Sequence, residues 1–174
     1  MADPHAGKAK SADAANSETD AAPDAIKLLE TDHRDVAAWF SDYENTESPT
    51  RKAKLTEKIC LALKVHMQIE EEIFYPASRE ALKSSQEDMV DEAVVEHASS
   101  KALIGEIEKM EVGDTLYDAK VKVLGELIAH HVGEEEKEYF PACRKTDMDL
   151  KALGAKMAAR KAELMKKLGG QTMM

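Results

Sequence analysis

Two segments of this chain repeat each other, and the repeat limits the folds that the chain can adopt. The first reads HMQIEEEIFYP and begins at His66, and the second reads HVGEEEKEYFP and begins at His131. In each, a glutamate follows the histidine by four residues and a proline follows it by ten. Upstream, His33 and His97 precede the two segments by 33 and 34 residues. This repeat predicts two similar helical hairpins, related by a pseudo-twofold axis around a shared feature.

Composition favours helices along the 174-residue chain. Leu, Ala, Glu, Lys and Met are the dominant residues and strong helix formers, whereas aromatic residues make up only 5%. No run alternates apolar and polar residues between turn signals, as a strand would. Apolar residues instead recur three and four positions apart, which is typical of a helix packed in a bundle. The sequence therefore predicts an all-α fold.

Five helices are predicted, of which the first four form a bundle. They run from about 24 to 44, from about 50 into the eighties, from 86 to 110, from 115 to about 141, and from 149 to 168. Pro49 suits a helix start, whereas Pro76 should kink the second helix near its end. We assign residues 24–145 to the bundle and residues 146–174 to a C-terminal amphipathic helix and tail.

The N-terminal residues 1–23 are predicted to be a disordered tail, because they carry too little apolar surface to offset the entropy of ordering. His5 lies in this tail and has no assigned role. The tail also lacks the apolar core of a secretory signal. Cys60 and Cys143 lie on different predicted helices without CxxC spacing, so they indicate neither a disulfide framework nor a zinc site. A reducing cytoplasm is the expected compartment.

The repeated histidines and glutamates lie where a bundle buries its side chains. Residues four apart lie one above the other on a helix, so His66 with Glu70, and His131 with Glu135, present a nitrogen and a carboxylate to one point. Buried imidazoles and carboxylates without partners cost roughly several kcal/mol. A pair of metal ions between the helices would satisfy them. Imidazole and carboxylate without thiolate favour iron or manganese, with zinc as a third alternative.

Each of these features taken alone has a simpler interpretation. A single core histidine is more often a hydrogen-bonded structural residue, and an HxxxE pair often faces water. The repeat favours the metal site, because every histidine outside the tail follows it except His130, which is rotated about 100° from the seam. Glu72 and Glu136 are expected to belong to a group of solvent-exposed acidic side chains beside the metal site. Glu71 and Glu134 belong there too, unless one of them contacts the metal site.

These segments resemble the haemerythrin-like family, also called the HHE cation-binding domain. The resemblance covers about residues 24–145 and rests on DAIKLLETDHRDV, LKVHMQIEEEIFYP, DEAVVEHASSK and IAHHVGEEEKEYFP. It implies an antiparallel, up-down-up-down four-helix bundle around an oxo- or hydroxo-bridged di-iron centre, here with a short extra C-terminal helix. The implied ligands are His33 and His66 on one iron, His97 and His131 on the other, and Glu70 and Glu135 bridging both.

The chain departs from oxygen-carrying haemerythrins at two positions. Lys101 lies where those proteins have a further histidine, four residues after the third-helix histidine. The second carboxylate is Glu135, four residues after its histidine, and not an aspartate five residues after it. One iron is therefore expected to lack a nitrogen ligand, and an open position is typical of reactive metal sites. Lys101 should extend to solvent or hydrogen-bond a bound oxygen species, and reversible oxygen storage is not favoured.

The resemblance predicts a protein that binds or processes small oxidants, namely O2, H2O2 or NO, with catalase-like peroxide decomposition as the enzymatic form. The alternative is an iron-, oxygen- or redox-sensing or iron-storage module without turnover. The basic last helix is then a candidate protein-contact surface, although the solvated face of a packed fifth helix is the simpler interpretation. Its basic residues are Lys151, Lys156, Arg160, Lys161, Lys166 and Lys167.

Several other function classes are disfavoured. The net charge of −10 repels phosphate backbones and anionic lipid, so neither nucleic acid nor a membrane surface is an expected partner. The apolar runs are too short to span a bilayer. The sequence has no Ser/His/Asp or Cys/His nucleophile arrangement and no Gly-rich phosphate loop, so hydrolase and nucleotide chemistry are not expected.

Overall fold

The computed structural model describes residues 23–170, apart from the side chain of Ser85. Within this part of the chain every regular element is helical, which confirms the all-α prediction. The predicted tail, including His5 but not Pro23, lies outside the described residues. Between residues 23 and 170, no helix combines the length and apolarity that crossing a membrane requires.

Seven α-helices, two π-helical turns and one 3-10 turn make up the described chain. In order they are α1 (Ala25–Glu44), α2 (Pro49–Ile69), the first π turn (Glu70–Phe74), α3 (Tyr75–Ala81), the 3-10 turn (Ser84–Gln86), α4 (Asp88–Ile107), α5 (Tyr117–Glu134), the second π turn (Glu135–Tyr139), α6 (Phe140–Arg144) and α7 (Leu150–Gly169). The predicted second and fourth helices each continue through a π turn into a short helix.

Local sequence explains where the helices begin. The Asp24 carboxylate accepts a hydrogen bond from the backbone N–H of Lys27 at 2.9 Å, which caps α1. The Ser48 hydroxyl accepts one from the N–H of Arg51 at 3.3 Å, which caps α2. Pro49 is the first residue of α2, as predicted, because proline lacks the N–H that would be unpaired there.

Both π turns begin at the repeated glutamate and end just before the repeated proline. The N–H of Tyr75 donates to the carbonyl of Glu70, and the N–H of Phe140 donates to that of Glu135, in each case spanning five residues. A proline ring clashes with the preceding turn of an α-helix, and the wider π turn gives it room. A π turn thus precedes Pro76, where the sequence predicted a kink, and it brings the fifth residue after each glutamate onto the same helix face as that glutamate.

The four helices that carry the repeated histidines form a closed ring of contacts. Helix α1 contacts α2 and α5, α4 contacts α5 and α2, and α7 packs on α1 and α2. The buried apolar side chains divide into two clusters along the bundle. His33 lies between Leu29 of one cluster and Val36 of the other, so the histidines occupy a polar layer between two apolar ones.

The amphipathic prediction for the last helix is consistent with how α7 packs. Met157 and Leu164 are fully buried in the same apolar cluster as residues of α1 and α2. Gly154 allows the close approach, because a Cβ there would lie 2.1 Å from the carbonyl oxygen of Pro23 and 2.8 Å from the nitrogen of Ala25. Even one methyl group at this position would push α7 away from α1.

We expect Gly154→Ala to lower the free energy of unfolding by about 1–3 kcal/mol, because the new methyl group meets backbone that cannot move aside. Gly105→Ala in α4 is the matched control, since a Cβ there meets nothing within 4 Å. It should raise stability by about 0.5–1 kcal/mol through helix propensity alone. Urea unfolding followed by circular dichroism measures both. Equal effects of the two substitutions would contradict the close approach of α7.

Candidate metal centre

All six predicted ligand side chains meet in the polar layer, and none is more than 6% exposed. Helices α1, α2, α4 and α5 each supply one histidine, and the two glutamates begin the π turns. The Nε2 atoms of His33 and His66 lie 3.2 Å apart, and those of His97 and His131 lie 3.1 Å apart. The two histidine pairs that the family resemblance implied are thus the pairs that face each other.

Each glutamate touches histidines from both halves of the repeat. Glu70 Oε2 lies 3.3 Å from the Nε2 atoms of both His66 and His97. Two groups of ligand atoms result, each within 4.8 Å, and Glu70 belongs to both.

Glu135 spans the two halves in the same way. Its Oε2 lies 3.2 Å from Nε2 of His33, and its Oε1 lies 3.4 Å from Nε2 of His131. Both carboxylates therefore lie where they could bridge two cations, one held by each histidine pair.

The other ring nitrogen of each histidine faces a carboxylate at the edge of the centre. The pairs are His33 Nδ1 with Glu136 at 2.9 Å, His66 Nδ1 with Asp32 at 3.2 Å, His97 Nδ1 with Glu71 at 3.0 Å, and His131 Nδ1 with Glu96 at 2.6 Å. A carboxylate in this position fixes the tautomer of an imidazole and strengthens it as a metal ligand. All four imidazoles are thus oriented from outside.

The interior of the centre is rich in lone pairs and poor in protons. With each Nδ1 donating its proton outward, each Nε2 turns a lone pair inward. Both oxygens of Glu70 and the Oε2 of Glu135 are buried and have no hydrogen-bond partner among the described residues. Facing lone pairs and unpaired carboxylate oxygens are costly in a dry interior, and a cation satisfies all of them. The residues present therefore fit a pair of metal cations.

In the metal-free chain, bound protons replace part of the positive charge that the cations would supply. Burial lowers the pKa of His33, but the hydrogen bond and charge of Glu135 outweigh it and raise that pKa to about 9. Burial and the neighbouring Glu135 carboxylate raise the pKa of Glu70 well above its usual range. Burial lowers the pKa of His66 to about 4. Protons on His33 and Glu70 therefore reduce the repulsion between the ligand groups in the metal-free chain.

A tyrosine that sequence reasoning missed joins the centre on one side. The Tyr75 hydroxyl lies 3.1 Å from Nε2 of His97 and donates to Glu135 Oε1 at 3.2 Å. The matching position in the second repeat is Phe140, which stacks on His33 with ring centroids 5.8 Å apart. The centre is therefore asymmetric, and its phenol lies on the side where the resemblance predicted a missing nitrogen ligand.

Lys101 does not reach the interior. Its ammonium lies 2.6 Å from both oxygens of Glu71, whose Oε1 in turn lies 3.0 Å from His97 Nδ1. Of the two predicted roles, extension toward solvent agrees with this geometry, and a direct hydrogen bond into the centre does not. Lys101 acts on the centre only by holding Glu71.

The acidic residues next to the ligands differ in their contacts more than predicted. Glu71 contacts a ligand histidine, as one alternative proposed, whereas Glu134 lies 3.2 Å from the exposed His130 instead. His130 points away from the seam, as its rotation predicts. Glu136 is exposed, as predicted, but it is also hydrogen-bonded to Nδ1 of His33, and Glu72 pairs with Arg160 of α7.

Asp32 and Glu96 were also missed, although the repeat contains their signal. An acidic residue directly precedes each first-helix histidine, in the sequences Asp32–His33 and Glu96–His97. Each of these carboxylates holds the second histidine of its own half. The repeat therefore marks both positions as acidic, although it does not show which histidine each carboxylate contacts.

The two cysteines take no part in the centre. Both are buried and free, and burial raises the pKa of each thiol to about 12. A thiol with a raised pKa is a poor nucleophile and a poor redox sensor. Both cysteines therefore act as small buried hydrophobic residues.

The fold and the centre define a helical protein whose buried histidines and glutamates could hold metal cations. The family model described as Hemerythrin HHE cation binding domain matches residues 24–143. The chain therefore belongs to the hemerythrin HHE cation-binding domain family, as its sequence segments indicated.

Two known proteins are similar to the chain at low identity. The crystal structure of a hemerythrin HHE cation binding domain-containing protein from Mycobacterium kansasii has a TM-score of 0.69 and 23% identity, and covers 83% of this chain and 89% of that one. A DNA nickase from Nostoc sp. is 24% identical over 146 residues, which are 83% of this chain and 41% of the nickase. The first supports the fold, and the chain spans less than half the length of the second.

Proposed function

We propose that this protein holds two iron ions in the buried centre and uses them to bind or process a small oxidant, O2, H2O2 or NO. His33 and His66 hold one ion, His97 and His131 hold the other, and the two glutamates bridge them. The observation that carries this proposal is that each glutamate contacts one histidine of each half. Zinc would fit the same donors but cannot change its charge, whereas manganese can and is the alternative metal.

The proposal includes the finer architecture predicted from the sequence. Residues 24–145 form an antiparallel, up-down-up-down four-helix bundle, and residues 146–174 add the helix that packs on it. A cytoplasmic location and a role under oxidative stress accompany a centre of this kind. The chain carries a net charge of −10, so the DNA-nicking activity named for the Nostoc relative is not part of the proposal.

The residues around the centre suit a small, uncharged or weakly charged ligand. A bound iron pair would exchange electrons with such a ligand. The buried ligands exclude bulk water, and the four outer carboxylates hold the imidazoles in place. Tyr75 donates a hydrogen bond to Glu135 Oε1 on the side of His97 and His131, whereas the matching Phe140 offers no donor on the side of His33. This asymmetry gives an incoming ligand one side to bind.

Oxygen evolution from peroxide tests the enzymatic form. Iron-loaded protein should release O2 from H2O2 faster than the same amount of free iron. The double variant Glu70→Leu, Glu135→Leu should give only the free-iron rate, because it lacks both bridging carboxylates. If the loaded protein does not exceed free iron, peroxide decomposition is excluded. Spectral titration of the loaded protein with NO then tests ligand binding without turnover.

A second candidate function is a sensor without turnover, and a contact between α7 and the centre favours it. Lys161 of α7 pairs with Asp32, and Asp32 also contacts Nδ1 of His66 at 3.2 Å. A change in charge at the centre therefore reaches α7 through a single carboxylate. Four other basic residues of this helix remain exposed, and they form its candidate contact surface for a protein partner. They are Lys151, Lys156, Lys166 and Lys167.

We expect iron removal to loosen α7, seen as faster amide hydrogen exchange in α7 than in α5. Lys161→Met should remove this dependence on iron, because it breaks the contact with Asp32. Lys156→Met, at an exposed position of the same helix, is the control and should leave it intact. If the amide hydrogen exchange of α7 were the same with and without iron in every variant, this sensing route would be excluded. Deleting α7 is a poorer test, because Met157 and Leu164 belong to the core.

A further inference from the structure

The pseudo-twofold symmetry of the centre does not extend to its surroundings. In the first half, Leu28, Val65 and Ile69 are buried in the apolar cluster that α7 joins. The repeat aligns these positions with Glu92, His130 and Glu134 in the second half, of which the first two are exposed and the third is partly exposed. One side of the centre is thus sealed by apolar contacts, whereas the other presents acidic groups and an imidazole to solvent.

Three side chains on the open side converge on one point. His130 Nε2 lies 3.2 Å from Glu134 Oε1 and 3.4 Å from Glu96 Oε1. The ligand atoms of the three residues all lie within 4.8 Å of one another. One imidazole and two carboxylates are a common donor set for divalent first-row metals. This cluster, which we call the outer cluster, is separate from the six ligands of the buried centre.

The outer cluster is joined to the buried centre through Glu96. While Glu96 Oε1 faces His130, its Oε2 lies 2.6 Å from Nδ1 of His131, which belongs to the buried centre. The same carboxylate therefore contacts an exposed imidazole on one side and a buried one on the other. A cation at the outer cluster would lie one residue away from the interior.

A cleft at this face leads in the same direction. It has a volume of about 50 Å³, and four glutamates line it together with His131 and Glu135. The four are Glu92, Glu96, Glu134 and Glu138. Glu135 is only 2% exposed, and its Oε2 has no hydrogen-bond partner among residues 23–170. The cleft therefore leads from acidic side chains near the surface to a carboxylate of the buried centre, which would give a cation oxygen donors along the route.

We propose that Glu96, His130 and Glu134 form a third metal site, at which a divalent cation such as Fe²⁺ binds before it passes along the cleft to the buried centre. The four glutamates raise the local concentration of cations, because a cleft lined by one sign of charge focuses its field. The passage inward rests on the function proposed above. The outer site itself depends only on the three surface residues.

Binding of Mn²⁺ to the iron-loaded protein tests the outer site. Electron paramagnetic resonance of free Mn²⁺ should show one additional ion bound per chain. His130→Ala and Glu134→Gln should each weaken this binding by at least about tenfold, because each removes one donor. Glu126→Gln removes an exposed carboxylate elsewhere on the same helix and should change nothing. No additional Mn²⁺, or equal binding by wild type and both variants, would overturn the site.

The rate of iron loading tests the passage. Metal-free protein should take up Fe²⁺ several-fold more slowly when it carries His130→Ala, yet reach the same final iron content as wild type. An unchanged rate would overturn the passage, even where Mn²⁺ binding at the outer site is seen. The two proposals fail differently: a chain that never holds iron in the buried centre contradicts the proposed function, whereas the Mn²⁺ titration still reports on the outer cluster.

Discussion

Removing iron from the protein should lower its thermal midpoint of unfolding by roughly 10 °C. A ligand present at a thousand times its dissociation constant stabilises the folded state by about 4 kcal/mol, and each kcal/mol shifts the midpoint by about 2–4 °C in a domain of this size. The physical reason is that the buried oxygens of Glu70 and Glu135 and the inward lone pairs of four imidazoles lose their cations. Differential scanning calorimetry before and after chelation measures the shift.

The control for this experiment is the double variant Glu70→Leu, Glu135→Leu. It lacks the carboxylates that bridge the two halves, so chelation should leave its midpoint unchanged. If chelation also left the thermal midpoint of the wild-type protein unchanged, the claim that cations stabilise the polar layer would be contradicted.

Replacing Glu70 alone by leucine should have opposite effects on the two forms of the protein. Glu70 is fully buried, and neither of its oxygens has a hydrogen-bond partner among the described residues. The raised pKa of Glu70 keeps a proton on this carboxyl group in the metal-free wild type, so the substitution removes a buried polar group without partners rather than one member of an ion pair. The metal-free variant should therefore be more stable than the metal-free wild type, by about 1–3 kcal/mol. The same substitution should abolish stabilisation by iron. Urea unfolding with and without iron measures both effects.

Glu72→Leu is the matched control, only two residues away. Glu72 is partly exposed and pairs with Arg160, so its loss should cost at most about 1 kcal/mol and leave iron binding unchanged. If metal-free Glu70→Leu were less stable than metal-free wild type, the carboxylate would be stabilising the fold without metal. Glu70 would then be a structural residue, and its place as a bridging ligand would lose its physical basis.

The helical repeat made the core of the centre predictable from the sequence. Apolar residues recur at alternating spacings of three and four, which places one histidine of each of α1, α2, α4 and α5 on the buried seam. The i, i+4 rule then places each glutamate beside its histidine. Helix starts at Asp24 and Pro49 followed from capping preferences. These features depend on neighbours within one or two turns, which is the range over which a sequence pattern is informative.

Tyr75 could not be predicted from the same rules. In a regular α-helix, the residue four after Glu70 would share its face, but the π turn moves that position to the fifth residue, which is Tyr75. The carboxylates that hold the imidazoles were missed for another reason. Asp32 and Glu96 each contact a histidine on a neighbouring helix, and one helix considered alone gives no sign of that contact.

The packing of α7 also depends on distant contacts. Its amphipathic pattern indicated an apolar face but not which helices it would meet. The close approach of Gly154 to Pro23 and Ala25, and the pairs that Arg160 and Lys161 make with bundle carboxylates, join segments far apart in the chain. Such contacts decide which side of the centre is sealed.

The metal content and visible absorption spectrum of protein produced in iron-rich medium test the central claim most directly. Two ions bridged by Glu70 and Glu135 predict about two irons per chain, together with the charge-transfer bands of an oxo- or hydroxo-bridged iron pair. The variant Glu70→Leu, Glu135→Leu, purified in parallel, should lack both the iron and the bands. Wild-type protein without bound metal, or with the same content and spectrum as that variant, would contradict the account.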